Sequence, residues 1–204
     1  MDRRQFGLFG AILTTGLITL SASAGEDLAA PIGGNPDGDL NVVVFLDYNC
    51  PYCKFANPEL ARFVVGDGGV RLTYRDWPIL GEASIYGARI ALAATYQGQY
   101  ETAHRVLMAV PGRRNPADRM RAAMQAAGLD IGRLDVDAVT HGAAIQARLA
   151  NNAAEAVKLA LNAVPTILVG GMRVLGGFDV ENFQDYAARA RNGRHTVAPI
   201  EGPQ

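Results

Sequence analysis

Cys50 and Cys53, with two residues between them and the only cysteines in 204 residues, stand where an apolar run from Leu40 to Leu46 meets a stretch that Pro51 opens as a helix. That junction constrains the chain more than any other feature. A disulfide closing so short a loop is worth about 2 kcal/mol on the chain-entropy account, against about 4.7 for a loop of about 100 residues, so the spacing argues against a structural staple. A zinc site would need two further ligands at metal spacing. The three histidines, His104, His141 and His195, stand far apart in the sequence and supply none. Dithiol chemistry is the reading that remains.

Each residue of the motif has a physical role in that reading. Cys50 falls at the N-cap and Pro51 at the first helical position, where a missing N–H is harmless. The Cys50 sulfur then faces the unpaired amides of Tyr52 and Cys53, and these, with the positive end of the helix dipole, favour a thiolate. Cys53 lies one turn on along the same face, in reach of a mixed disulfide formed at Cys50. Cys50 is the expected nucleophile, Cys53 the expected resolving thiol, and Pro51 and Tyr52 the active-site dipeptide. The pattern predicts a helix through Phe55, Leu60, Phe63 and Val64 to a stop at Gly66, kinked at Pro58.

The first two dozen residues read as an export signal. Arg3 and Arg4 precede a mostly apolar run from Phe6 to Leu20, and Ala22-Ser23-Ala24 is a small-residue cleavage pattern, with the cut expected after Ala24. The segment Asp2 to Phe6 is similar to a twin-arginine motif without the usual Ser or Thr before the arginines, so ordinary Sec export stays open. The run is shorter than the ~20 residues a spanning helix needs. Export implies an oxidising, periplasmic compartment, where a lone cysteine pair suits a catalyst. The net charge of −1 and the lack of a basic stripe oppose nucleic-acid binding.

Along the mature chain, Pro31, Gly33, Gly34, Pro36 and Gly38 predict an irregular lead-in with one short edge strand near Ile32. Leu40 to Leu46 and Val70 to Tyr74, flanking the cysteine helix, predict a parallel β-α-β unit. Helical periodicity then runs from Glu82 to Leu161, with segments at 84–97, 100–110, 116–127 and two more up to Leu161. So long a helical block is too large for a connecting loop. Strand patterning returns at Val164 to Val169, with a Gly170-Gly171 turn, a partner strand from Met172 to Leu175, and a closing helix capped by Asp179. The expected organisation is an α/β domain in two parts, 25–81 and 162–204, around an inserted helical subdomain at 82–161.

Three stretches carry a family resemblance: Phe45 to Lys54, Trp77 to Ser84, and Val164-Pro165-Thr166. With them the chain resembles the DsbA family of thiol-disulfide oxidoreductases, and Gly34 to Asp39 also fits its ScsC-like branch. The resemblance implies a thioredoxin fold with a helical insertion. It also implies a cis Pro165 beside Cys50, with Val164, Pro165 and Thr166 meeting the substrate peptide. No cofactor and no metal are expected. The expected partners are unfolded or cysteine-containing exported proteins and a membrane redox partner. The short segment between Ala24 and Leu40 favours a monomeric oxidase. An isomerase or reductase kept reduced by a membrane partner, a glutathione-using enzyme and a copper-binding thiol chaperone are the alternatives. His104 and His141 are expected at the surface or at helix caps, and Tyr74 and Trp77 in the core or a groove wall.

One departure stands out. Thioredoxin-like proteins tend to carry a buried acid six positions before the first cysteine, and this chain has Val44 there. On a strand, Val44 shares a face with Val42 and Leu46, and Asp47 is expected to point the other way. The expectation is a single ionisation at Cys50, unless Asp47 or Glu82 takes the missing role.

Overall fold

Val42, Val43 and Val44 are β-branched and flanked by Leu40, Phe45 and Leu46, a composition suited to a strand covered on both faces. The computed structural model, which describes residues 28–193, places this strand at the centre of the sheet. Five strands, β1 (Ile32–Gly34), β2 (Leu40–Leu46), β3 (Val70–Asp76), β4 (Thr166–Val169) and β5 (Met172–Arg173), lie in the order β1-β3-β2-β4-β5. β2 runs parallel to β3, with Leu46 opposite Asp76, and antiparallel to β4, with Phe45 opposite Thr166. The expected edge strand at Ile32 pairs antiparallel with β3. The second hairpin strand ends at Arg173, two residues short of the expected Leu175. Its turn takes positive φ at both Gly170 and Gly171, which glycine adopts without a steric penalty.

Helix α1 (Pro51–Asp67) starts at the cysteines. It continues through Pro58 and stops at Gly68, not at the expected Gly66, because Gly68 is the residue in the left-handed conformation whose N–H reaches the Val64 carbonyl. Between β3 and β4 come α2 (Glu82–Ala93), a 3-10 turn (Ala94–Gln97), α3 (Tyr100–Ala109), α4 (Ala117–Ala126), α5 (Ile131–Thr140) and α6 (Gly142–Lys158). α2 is the hub of this block: Ala88 and Ile90 through Ala93 are buried, and the helix contacts α3, α4, α5 and α6. Burial of one such Ile or Leu contributes about 1.5–3 kcal/mol. Gly87 lets α2 approach closely, since a side chain there would meet Met120 and Tyr48. The closing helix α7 (Val180–Arg191) is capped by Asp179, which accepts from the Asn182 N–H, and packs Phe183 on Phe63 of α1 with ring centroids 5.5 Å apart. The export segment, its cleavage point and His195 lie outside the described residues.

Candidate active site

Cys50 is the N-cap residue of α1 and Cys53 lies one turn on; both are free thiols. Cys50 is 5 % exposed and Cys53 3 %, so both residues are nearly enclosed. Their acidities diverge. The Cys53 thiol, by its hydrogen bond, is the largest influence on Cys50; with the amides of Cys53 and Tyr52 it outweighs burial and the Asp47 charge, and lowers the pKa of Cys50 to about 6. Burial, followed by the neighbouring Cys50 sulfur, pushes the Cys53 thiol far above its usual value. Pro51 opens the helix as expected, and Tyr52, 71 % exposed, presents its ring to solvent beside the sulfur, as Phe55 does one turn on.

The Val164–Pro165 peptide bond is cis, and the Val164 carbonyl accepts from the Cys50 thiol at 3.3 Å. A segment 114 residues away in sequence is thus brought against the first cysteine. Thr166 is turned inward: its hydroxyl donates to the Ala163 carbonyl at 2.9 Å, and its backbone pairs with Phe45. Pro165, Val44, Cys53 and Asn57 line a cavity of about 10 Å³, close to the smallest volume that holds one water. Val44 therefore shares this cavity with Cys53, at the position where thioredoxin-like proteins tend to carry an acid.

Asp47 departs from expectation. β2 ends at Leu46, so strand alternation no longer governs the next residue. Asp47 is 1 % exposed, and its backbone N–H lies 3.5 Å from the Cys53 sulfur. Its carboxylate accepts from the N–H groups of Asn49, Ile79 and Leu80 at 2.7, 2.9 and 3.0 Å. Asp47 is a loop-tying acid packed against both cysteines, and its charge opposes thiolate formation at each. Two further ties hold the cysteine loop to the helical block. Asn49 exchanges hydrogen bonds with the backbone of Asn115, and the Lys54 ammonium donates to the carbonyls of Val110 and Gly112 at 2.6 and 3.1 Å.

A buried polar cluster adjoins this site. Tyr100 donates to Asp76 at 2.8 Å; the Tyr48 hydroxyl lies 3.4 Å from that of Tyr100 and 3.3 Å from His104 Nδ1; His104 Nε2 is 2.8 Å from Asn57 Oδ1. Asn57 presents an acceptor, so the His104 proton sits on Nε2 and Nδ1 accepts from Tyr48. Burial pushes the Asp76 carboxyl up to about 6, against the hydroxyls of Tyr100 and Tyr48, and brings His104 down to about 3. His104 is therefore a neutral core residue, contrary to the surface or capping position expected of it. His141 lies at the α5–α6 junction and stacks on Tyr96. Tyr74 is buried and Trp77 packs edge-on against Phe45, as anticipated. Asp76, Asn49, Asn115 and Lys54 were not singled out from sequence. Only Asp76 carried a signal, an acid ending a strand on the same face as the apolar Val70, Leu72 and Tyr74. Glu82 opens α2.

A dithiol at a helix start, two cysteines of opposed acidity and a cis-proline segment against the first of them define a thioredoxin-type thiol-disulfide oxidoreductase. The chain belongs to the DSBA-like thioredoxin domain family, whose model matches residues 41–188. It is similar to a thioredoxin-like oxidoreductase from Silicibacter pomeroyi, with 42 % identity, TM-score 0.74, and 80 % of this chain and 92 % of that one covered. It is also similar to a periplasmic thioredoxin-like protein from Salmonella enterica serovar Typhimurium, with 26 % identity, TM-score 0.66, and 81 % and 91 % covered. Among curated proteins it is 32 % identical over 152 residues to part of the Na(+)/H(+) antiporter NhaA 1 of a Mycobacterium strain. That match takes in 72 % of this chain and 24 % of the antiporter, so the chain spans about a quarter of the length of such relatives.

Proposed function

We propose that the protein is an exported thiol-disulfide oxidoreductase that passes a Cys50–Cys53 disulfide to cysteines of other exported proteins, acting as an oxidase. The opposed acidities of the two thiols carry this reading. A substrate thiolate attacks the Cys50 sulfur of the oxidised protein, and the Cys53 sulfur leaves and takes up a proton, the form its burial favours. A second substrate thiolate then attacks the substrate sulfur of the mixed disulfide. Cys50 leaves as a thiolate, and a thiol of low pKa leaves faster. The substrate gains one disulfide, and the protein gains two electrons and becomes the dithiol. A membrane redox partner then restores the Cys50–Cys53 bond.

Cys50 is the nucleophile and Cys53 the resolving thiol when the reaction runs in reverse. Val164 and Pro165 form the wall against which an extended substrate docks, with Thr166 fixing that wall from inside. The exposed rings of Tyr52 and Phe55 offer apolar contact to an unfolded chain. Export is supported by the N-terminal pattern at 1–24 and by the likeness to a periplasmic Salmonella protein. The test is oxidative refolding of a reduced, unfolded protein by the oxidised form. Stoichiometric disulfide transfer that Cys50→Ser abolishes is the expected result; equal refolding by Cys50→Ser would overturn the proposal.

A further inference from the structure

Beside the cysteines, on the side of the helical block, two open hollows of about 440 and 420 Å³ share Ala109, Val110 and Pro111 as a common wall. The second reaches Pro51, the residue next to Cys50. Arg105 and Arg119 line the first, Arg113 and Lys54 the second, and among the described residues no carboxylate lines either. The three arginines are exposed, and none joins an ion pair among the described residues, whereas Arg75, Arg121 and Arg191 all do. Burial, and after it the positive charge of Arg119, lowers the pKa of Lys54 against the opposing charges of Asp47 and the two cysteines. Of the nearest acids in sequence, Asp118 accepts from the Arg119 backbone N–H and Glu101 meets the Tyr74 hydroxyl; neither pairs with a groove arginine among the described residues. An apolar floor flanked by Lys54 and by three arginines with no ion pair among the described residues therefore leads away from the reactive sulfur.

We propose that this paired groove is a docking surface for an acidic, partly apolar segment of the substrate polypeptide, flanking the cysteine that reacts at Cys50. The cations are distributed along the groove rather than converging on one point, so they suit carboxylates spaced on an extended chain better than a single small anion. Each hollow has the volume of a small-ligand site; together they accommodate several residues of a peptide whose cysteine is engaged at Cys50. Charge of one sign along a groove raises encounter rates and selects partners more than it adds affinity, and salt removes the effect. This inference rests on the thiol-exchange reading and specifies which substrates that chemistry favours.

The test uses the oxidised protein and two peptides of about a dozen residues, each with one cysteine. One carries several Glu residues a few positions from the cysteine, and the other carries Gln at the same positions. Second-order rate constants are divided by those for each peptide with a small uncharged disulfide, which removes differences in intrinsic thiol reactivity. The expected acidic-to-neutral ratio is about 10 at low salt and falls towards one when salt shortens the screening length to about 3 Å. In the triple variant Arg105→Gln, Arg113→Gln, Arg119→Gln the low-salt ratio is expected to fall to about one. A ratio of one in the unmodified protein, or a ratio that survives in the triple variant, overturns the groove proposal while leaving thiol exchange intact. Failure of both peptides to react overturns the thiol-exchange reading and this inference with it.

Discussion

Replacing Asp76 by asparagine should make the stability difference between the two proteins depend on pH in a defined window. Burial pushes the Asp76 carboxyl from an ordinary value of 3.8 to about 6 in the folded protein. Between those values the folded chain holds a proton that the unfolded chain has released. The stability contributed by this proton is therefore fully present below pH 3.8 and is lost as pH rises through about 6. The gap of about two pH units, at about 1.4 kcal/mol each, amounts to roughly 3 kcal/mol. The asparagine amide would stand in for the neutral carboxyl: it keeps an oxygen for the Tyr100 hydroxyl and does not ionise. The groups facing the site are Tyr100 of α3, Tyr48 of the loop after β2, and the Asp47 charge nearby, and all three remain in the variant. The assay is urea unfolding of both proteins across this range. Both are kept oxidised, because Cys50 titrates near the same pH in the dithiol form. Asp76→Asn should gain about 3 kcal/mol relative to the unmodified protein between about pH 4 and pH 8. A difference that stays constant across that range, or changes in the opposite direction, would refute the assignment of a buried, reluctantly charged Asp76.

Alkylation of the reduced protein should follow Cys50 with a midpoint near pH 6, and iodoacetamide at mildly acidic pH should label Cys50 before Cys53; preferential labelling of Cys53 would reverse the roles. Cys53→Ser should accumulate mixed disulfides with substrate and Cys50→Ser should not, as read on non-reducing gels. Asp47→Asn should lower the pKa of Cys50 below about 6, since it removes a charge that opposes the thiolate, and ultraviolet thiolate absorbance would show the move. It should also loosen the 79–80 loop, whose two amides lose a charged acceptor. Val44→Glu, which sets a carboxyl at the cavity beside Cys53, should add a second ionisation above about pH 5 to the alkylation profile and reduce stability.

The order of strands and helices was legible because its signals are local. Leu40 to Leu46, Pro51 at the helix start and the Gly170-Gly171 turn each dictate backbone geometry within a few residues, and all appear where expected. Helix α1 overran its anticipated end because Gly66 and Gly68 are equivalent in composition, and only the packed chain decides which takes the left-handed turn. The site divides in the same way. Cys50, Cys53 and Pro165 carry motifs, whereas Asp47, Asn49, Asn115 and Asp76 act through hydrogen bonds to residues 24 to 66 positions away, separations on which periodicity is silent. His104 was misplaced for a related reason. A histidine on a helix gives no sign that Tyr48 and Asn57 from other elements will satisfy both ring nitrogens in the core.

The most direct test of the account is the reduction potential of the Cys50–Cys53 couple, measured by equilibrating the protein in glutathione buffers of known ratio. Cys50, lowered to about 6, falls between the values of about 7 for thioredoxin and about 3.5 for DsbA. A stabilised thiolate favours the dithiol and makes the disulfide oxidising. The expected potential lies between about −270 mV, that of thioredoxin, and about −120 mV, that of DsbA. A value at or below about −270 mV would contradict the assignment of this protein as a donor of disulfides.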